Sequence, residues 1–214
     1  VPDLSSLASL EELEIYAKDL DKISNCRNLK RLTILAERTG DGSDLSALAG
    51  LSSLEELRLN MSSTTEALLN QELLAALPSL QKVTLRCDSN PISLDVFPQV
   101  REIVIIGEDI VGDMNLSGLD LKAEMSGGNT LLEKLSVFGF AEIKSGDYLD
   151  GWRQGSEALT FLPRCTALRE LRLSHCGLRD LSFAEGLSGA AFLDISGNRI
   201  EDVAPLSALP ELRC

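Results

Sequence analysis

Ser174, His175 and Cys176 stand in succession, and a nucleophile, a base and a thiol side by side invite an enzymatic reading. The backbone around them argues against it. They follow LRELRL, an extended run, and neighbours on an extended chain project to opposite sides, so they form no hydrogen-bonded dyad. Ser174 and His175 are expected near a rim and Cys176 inside. Asp147 and Asp150 offer carboxylates for calcium, but their loop lacks the run of oxygen ligands that such a site needs. Zinc finds no CxxC spacing, and the single histidine has no second imidazole beside it. No glycine-rich phosphate loop follows a strand, and no carboxylate pair stands in an apolar setting. The chemistry expected of these residues is therefore that of contact rather than catalysis, with no cofactor and no metal.

The elements that position them repeat. LEELEI at 10–15 recurs as LKRLTI at 29–34, LEELRL at 54–59, LQKVTL at 80–85, VREIVI at 100–105, LEKLSV at 132–137 and LRELRL at 168–173. A looser copy, AAFLDI, starts at Ala190, and a ninth is expected to start at Leu209. Alternate side chains of an extended segment face opposite ways, so the fourth and sixth residues of each unit point inward and the third, fifth and seventh outward. Residues three and six before each motif form further apolar columns. The first of these contains Cys26, Leu51, Cys165 and Leu206, the second Ile23, Leu48, Leu162 and Val203. Units too small to bury their own apolar face must stack on one another, as in a solenoid.

Both columns fail at Ser126 and Asn129, so residues 107–131 read as an insertion, with LSGLDL at 116–121 a candidate extra strand. A second insertion spans 142–156 and carries Tyr148 and Trp152. Ser63 and Glu66 form a capping-box pattern for a helix that reaches about Leu77, where Pro78 stops it. The other returns are short, single turns or 3₁₀ pieces.

These units resemble the leucine-rich repeat superfamily, LxxLxLxxN/CxL, most closely in LRELRLSHCGL at 168–178 and FLDISGNRI at 192–200. Those two are similar to the 22-residue subclass of phosphatase regulators and bacterial internalins. The resemblance implies an α/β leucine-rich repeat solenoid, with a curved parallel sheet on the concave face and helices, 3₁₀ turns and loops on the convex face. It also implies that Cys176 and Asn198 hold the turn after the strand. Lys18, Ser62, Asp88 and Glu108 occupy that position earlier, where the turn is expected to be less regular.

The chain has 214 residues, 44% hydrophobic but only 4% aromatic, which suits one elongated aliphatic core of eight to nine units. Because both ends fall inside the repeat, a piece of a longer protein is expected. Lysine and arginine number 20 against 33 acids, 20 − 33 = −13, a balance that disfavours nucleic acid and anionic lipid as partners. No apolar stretch approaches the roughly 18–20 residues of a membrane-spanning helix. Five cysteines without the paired clusters of extracellular repeat proteins suggest a reducing, cytoplasmic setting.

Two outward columns carry the functional expectations. The third position reads Glu12, Arg31, Glu56, Lys82, Glu102, Lys134, Glu170, strictly alternating in sign. In a parallel stack each charge lies between two opposite ones and holds the units in register. The seventh position reads Tyr16, Leu35, Asn60, Arg86, Ile106, Phe138, Ser174, Ser196. Aromatic, large apolar and arginine side chains dominate interface energetics. Tyr16, Leu35, Asn60, Arg86, Ile106 and Phe138 of this column, together with Arg58 on the same face and Tyr148 and Trp152 in the long loop, are the candidate partner-binding residues. Two readings stay open for the apolar ones: contact with a partner protein, or cover from the insertion over Ile106 and Phe138 and from missing N-terminal residues over Tyr16 and Leu35. The expected function is a non-enzymatic protein-interaction module. The alternative is a structural spacer or regulatory region of a larger protein whose catalytic or effector domain lies elsewhere.

Overall fold

The computed structural model describes residues 4, 7, 9–35, 45–60, 73, 77–87, 99–107, 131–138, 159 and 161–213. Eight strands form one parallel sheet in chain order: β1 Glu12–Tyr16, β2 Arg31–Leu35, β3 Glu56–Asn60, β4 Lys82–Cys87, β5 Glu102–Gly107, β6 Lys134–Phe138, β7 Glu170–Ser174 and β8 Phe192–Asp194. Every strand begins at the third residue of the repeat motif, so motif position and sheet register coincide. Glu12 pairs with Arg31, Arg31 with Glu56, and the same rule runs to Glu170 with Phe192.

The inward residues explain why the stack holds. Leu32, Leu57, Val83, Ile103, Leu135 and Leu171 at the fourth position are almost fully buried, as are Ile34, Leu59, Leu85, Ile105, Val137 and Leu173 at the sixth. Leu13 is only half-buried, at the first strand. Cys26, Leu51, Leu77, Cys165 and Leu187 continue the core three residues before the motif, and Ile23, Leu48, Leu162 and Ala184 six before. Burying a leucine fully contributes about 1.5–3 kcal/mol, so removing any of these side chains costs more than an exposed contact can return. Leu7, in the first of these columns, is an exception at 45% exposed.

Between strands the described helical returns are 3₁₀: Ala17–Ile23, Leu45–Gly50, Leu162–Arg164, Ser182–Gly186 and Ala204–Ala208. The helix expected from Ser63 to Leu77 lies outside the described residues apart from Leu73, which is helical and buried, and Leu77, which is buried but not helical. The candidate strand 116–121 also lies outside them, as do the insertions 107–131 and 142–156 except for Gly107 and Leu131 at the edges of the first.

The ninth unit starts one step later than expected. In each turn a backbone N–H donates to the carbonyl three residues earlier, Leu168 to Cys165 and Cys165 to Leu162, or Ala190 to Leu187 and Leu187 to Ala184. The last turn repeats this as Leu212 to Leu209 and Leu209 to Leu206, which makes Leu212 the motif's first residue. Burial agrees, with Leu209 6% and Val203 61% exposed. The LPEL spelling around Leu209 imitates a motif start because leucines three apart occur in both the turn and the strand.

Candidate functional site

The outward face of the sheet is organised by charge. Arg31 hydrogen-bonds Glu12 through Nε and Nη2 at 3.1 and 2.9 Å. Lys82 reaches Glu102 at 2.9 Å and Glu56 at 4.0 Å, and Lys134 reaches Glu170 at 2.9 Å. The expected ladder is present, but the partners are chosen unequally. Glu56 is taken mainly by Arg58 of the same strand at 2.9 Å, and Lys134 favours Glu170 over Glu102. The Glu12 carboxylate raises the Arg31 guanidinium above its ordinary value through its hydrogen bond and then its charge, and Glu170 does the same for the Lys134 ammonium.

A second ladder runs one residue before the strands and was missed in the sequence. It reads Glu11, Lys30, Glu55, Gln81, Arg101, Glu133, Arg169, Ala191. Lys30 pairs with Glu11 at 3.1 Å and Arg101 pairs with Glu133. The parity of the motif hides it, because this residue precedes the strand and its outward direction is set by the turn. Counting both columns from Glu11 to Glu170 gives seven acids and six bases, a net of −1, so −13 − (−1) = −12 of the chain's charge is carried elsewhere.

The seventh-position residues lie side by side as expected: Tyr16 against Leu35, Leu35 against Asn60, Asn60 against Arg86, Arg86 against Ile106, and Ile106 against Phe138. Tyr16 is 46% exposed, with the Lys18 ammonium 5.3 Å from its ring centre, while Leu35, Asn60, Arg86, Ile106 and Phe138 are half-buried. Arg58 is exposed but already engaged by Glu56. Tyr148 and Trp152 lie outside the described residues.

Ser174 departs from this column. It is 7% exposed and its hydroxyl shares a 2.9 Å hydrogen bond with Ser196, so it closes the face rather than presenting a contact. His175 is exposed and has φ +54, a left-handed conformation uncommon for a residue with a side chain. Its ring lies over Gly197, where a Cβ would come within 2.5 Å of it and where φ is +69. Cys176 is buried, with its thiol toward the Val137 and Ser174 carbonyls. Burial pushes the Cys165 thiol up to about 11. Both sulfurs serve as core.

The turn residue Asn198 does what the repeat requires. Its Oδ1 accepts the backbone N–H groups of Cys176 at 2.9 Å and Leu178 at 3.1 Å, and its Nδ2 donates to the carbonyls of Leu173 and Ile195. After β1, by contrast, the chain goes directly into a 3₁₀ helix from Ala17 to Ile23, and Lys18 stands at the corresponding place.

Sequence reading also missed a cluster on β7 and β8. The Arg172 guanidinium stacks on the Phe192 ring at 4.7 Å and lies 4.0 Å from Glu170. Phe192, 40% exposed, ends the alternating column, a break in the charge pattern that signals it. Beside them the Asp194 carboxyl is held below its ordinary value, first by the Ser196 backbone N–H at 3.0 Å and then by that residue's hydroxyl. Among the described residues no group of His, Cys, Asp and Glu side chains is arranged to hold a metal ion, and no helix is long and apolar enough to cross a membrane.

Eight parallel strands in chain order, inward aliphatic columns and 3₁₀ returns define a leucine-rich repeat solenoid of the α/β class. Solved structures share it. An internalin, InlF, from Listeria monocytogenes is 19% identical with a TM-score of 0.51, over 98% of this chain and 55% of that one. Internalin C2 from the same organism is 21% identical with a TM-score of 0.54, over 92% and 81%. A TLR13–ssRNA13 complex is 18% identical with a TM-score of 0.59, over 98% and 28%. This chain thus spans about half of InlF and less than a third of TLR13. At these identities the likeness is one of fold. No protein-family model and no curated protein sequence matches the chain.

Proposed function

We propose that this chain is a non-enzymatic recognition segment of a larger protein, a single repeat domain that binds a protein partner on the concave face of its sheet. The observation that carries this reading is the seventh-position band, where Tyr16, Leu35, Ile106 and Phe138 keep part of their surface in water. Beside it the third-position charges largely neutralise one another. A partner gains little from charges already paired within the sheet, whereas burying aromatic and aliphatic surface is favourable. Binding should therefore be only weakly salt-dependent.

The partner is a protein rather than a nucleic acid. The fold itself admits either, since TLR13 forms a complex with RNA. A net charge of −13 weighs against a polyphosphate here. The 22-residue spacing of Leu168, Ala190 and Leu212 supports the 22-residue subclass of phosphatase regulators and internalins for the last units. A reducing, cytoplasmic setting fits buried thiols at Cys26, Cys165 and Cys176.

The test is partner capture by the wild-type protein, by I106A/F138A and by an Arg58→Ala control, with circular dichroism to verify folding. Loss of the captured protein in I106A/F138A, and its retention in R58A, is expected. Equal capture by all three folded proteins would move the function off this band.

A further inference from the structure

We propose that the rim at the N-terminal ends of β7 and β8 binds an oxyanion, a carboxylate or a phosphate, between Arg169 and Arg213. The second charge ladder changes its pairing here. Lys30 and Arg101 in that column each pair with an acid of an adjacent unit, Glu11 and Glu133. Arg169 does not. One neighbour in the column is Glu133, already taken by Arg101, and the other is Ala191. Beyond Ala191 comes Arg213, because the corrected start of the last unit at Leu212 puts Arg213 in the same column.

Backbone hydrogen bonds fix the three as successive rungs: Ala191 donates to Arg169 at 2.9 Å, and Arg213 donates to Ala191 at 3.2 Å. Two guanidiniums therefore flank a methyl group where the pattern elsewhere places a carboxylate. Two rungs span about 10 Å, a distance that one oxyanion and two charge-assisted bonds of about 2.8 Å can fill.

A cavity of about 520 Å³ opens at this place, lined by both arginines, Ala191, Gly189, Thr166 and Ser188, the last two at equivalent positions in consecutive turns. Arg169 is held there from below. Its Nη1 donates to the Gly189 carbonyl at 3.1 Å and the Leu168 carbonyl at 3.4 Å. A Cβ on Gly189 would sit 2.0 Å from that nitrogen, so glycine is what lets the guanidinium lie against the turn. The rest of the fork stays available to a ligand, with the bidentate geometry that favours carboxylates and phosphates. Glu211 also lines the cavity and is an internal competitor, but among the described residues no ion pair joins it to either arginine.

The site is separate from the concave band, so either reading can fail without the other. The experiment is thermal unfolding of the 214-residue protein with inorganic phosphate or acetate, at ionic strength held constant with chloride. At about ten times the dissociation constant a rise in Tm of about 3–6 °C is expected, lost in R169Q and in R213Q. A response to phosphate alone assigns a phosphate ligand, and a response to both includes carboxylates. A191E supplies the missing rung internally, so it should melt above A191Q and respond to neither anion. E211Q should keep or enlarge the response. The proposal is overturned if R169Q responds like the wild type, if A191E is no more stable than A191Q, or if E211Q abolishes the response and lowers Tm as much as R169Q does.

Discussion

Replacing Asn198 with alanine tests how the last turns are held. The Asn198 side chain satisfies two backbone donors, at Cys176 and Leu178, and both residues are fully buried, so water does not readily replace the lost acceptor. Leaving a buried donor unpaired costs about 1–3 kcal/mol. Asn198 itself is half-buried, so the turn relaxes in part, and a local loss of about 2–4 kcal/mol follows for the two. At about 1.4 kcal/mol per decade this is a roughly 30- to 1000-fold loss of amide exchange protection at Cys176 and Leu178. Each repeat contacts only its neighbours, so the loss should be confined to the C-terminal units. The Leu54 amide, bonded to the Leu51 carbonyl at 3.1 Å near the other end, is the internal control. Hydrogen exchange read residue by residue gives all three values. Unchanged protection at Cys176 and Leu178 would show that Asn198 does not hold the turn, and an equal loss at Leu54 would refute the one-dimensional stack.

The charge ladder makes a different prediction. K134E places like charges against both Glu102 and Glu170 and should lower Tm, whereas K134E/E170K should recover much of the loss, because the far neighbour of Glu170 is the uncharged Phe192. The gap between the two variants should shrink in high salt, and equal melting temperatures at low salt would reject the ladder. Asp194 supplies a pH test. Its carboxyl titrates below the ordinary 3.8 when folded, so its contribution is complete above that value and is lost as the pH falls through the lower folded one. D194N should flatten this part of the acid limb, and an NMR titration of Asp194 at or above 3.8 would contradict it. Cys165, buried with its thiol pushed up to about 11, should resist iodoacetamide at pH 8 until the protein unfolds. Rapid labelling of the native protein at Cys165 would show that the site opens.

Much of the concave face was legible in the sequence because each repeat carries its own period. The seventh-position order from Tyr16 to Phe138 follows from motif alignment alone, and so does the sign alternation from Glu12 to Glu170. The burial of Ser174 was not legible, because the hydroxyl it pairs with belongs to Ser196, 22 residues on in the next coil. The Arg172–Phe192 stack was passed over because it joins a fifth position to a third position on neighbouring strands, a diagonal that no single column contains.

The sequence by itself determined the stack, the faces of its strands and the register between them, since the alternation of a strand and the length of a repeat are local properties summed along the chain. The tertiary structure alone decided which of two flanking acids each cation takes, where the last unit begins, and that Ala191 leaves a gap between two arginines. The choice of ion-pair partner depends on distances between side chains of different coils, and the start of the last unit and the rungs around Ala191 depend on backbone hydrogen bonds that form only once the coils are wound.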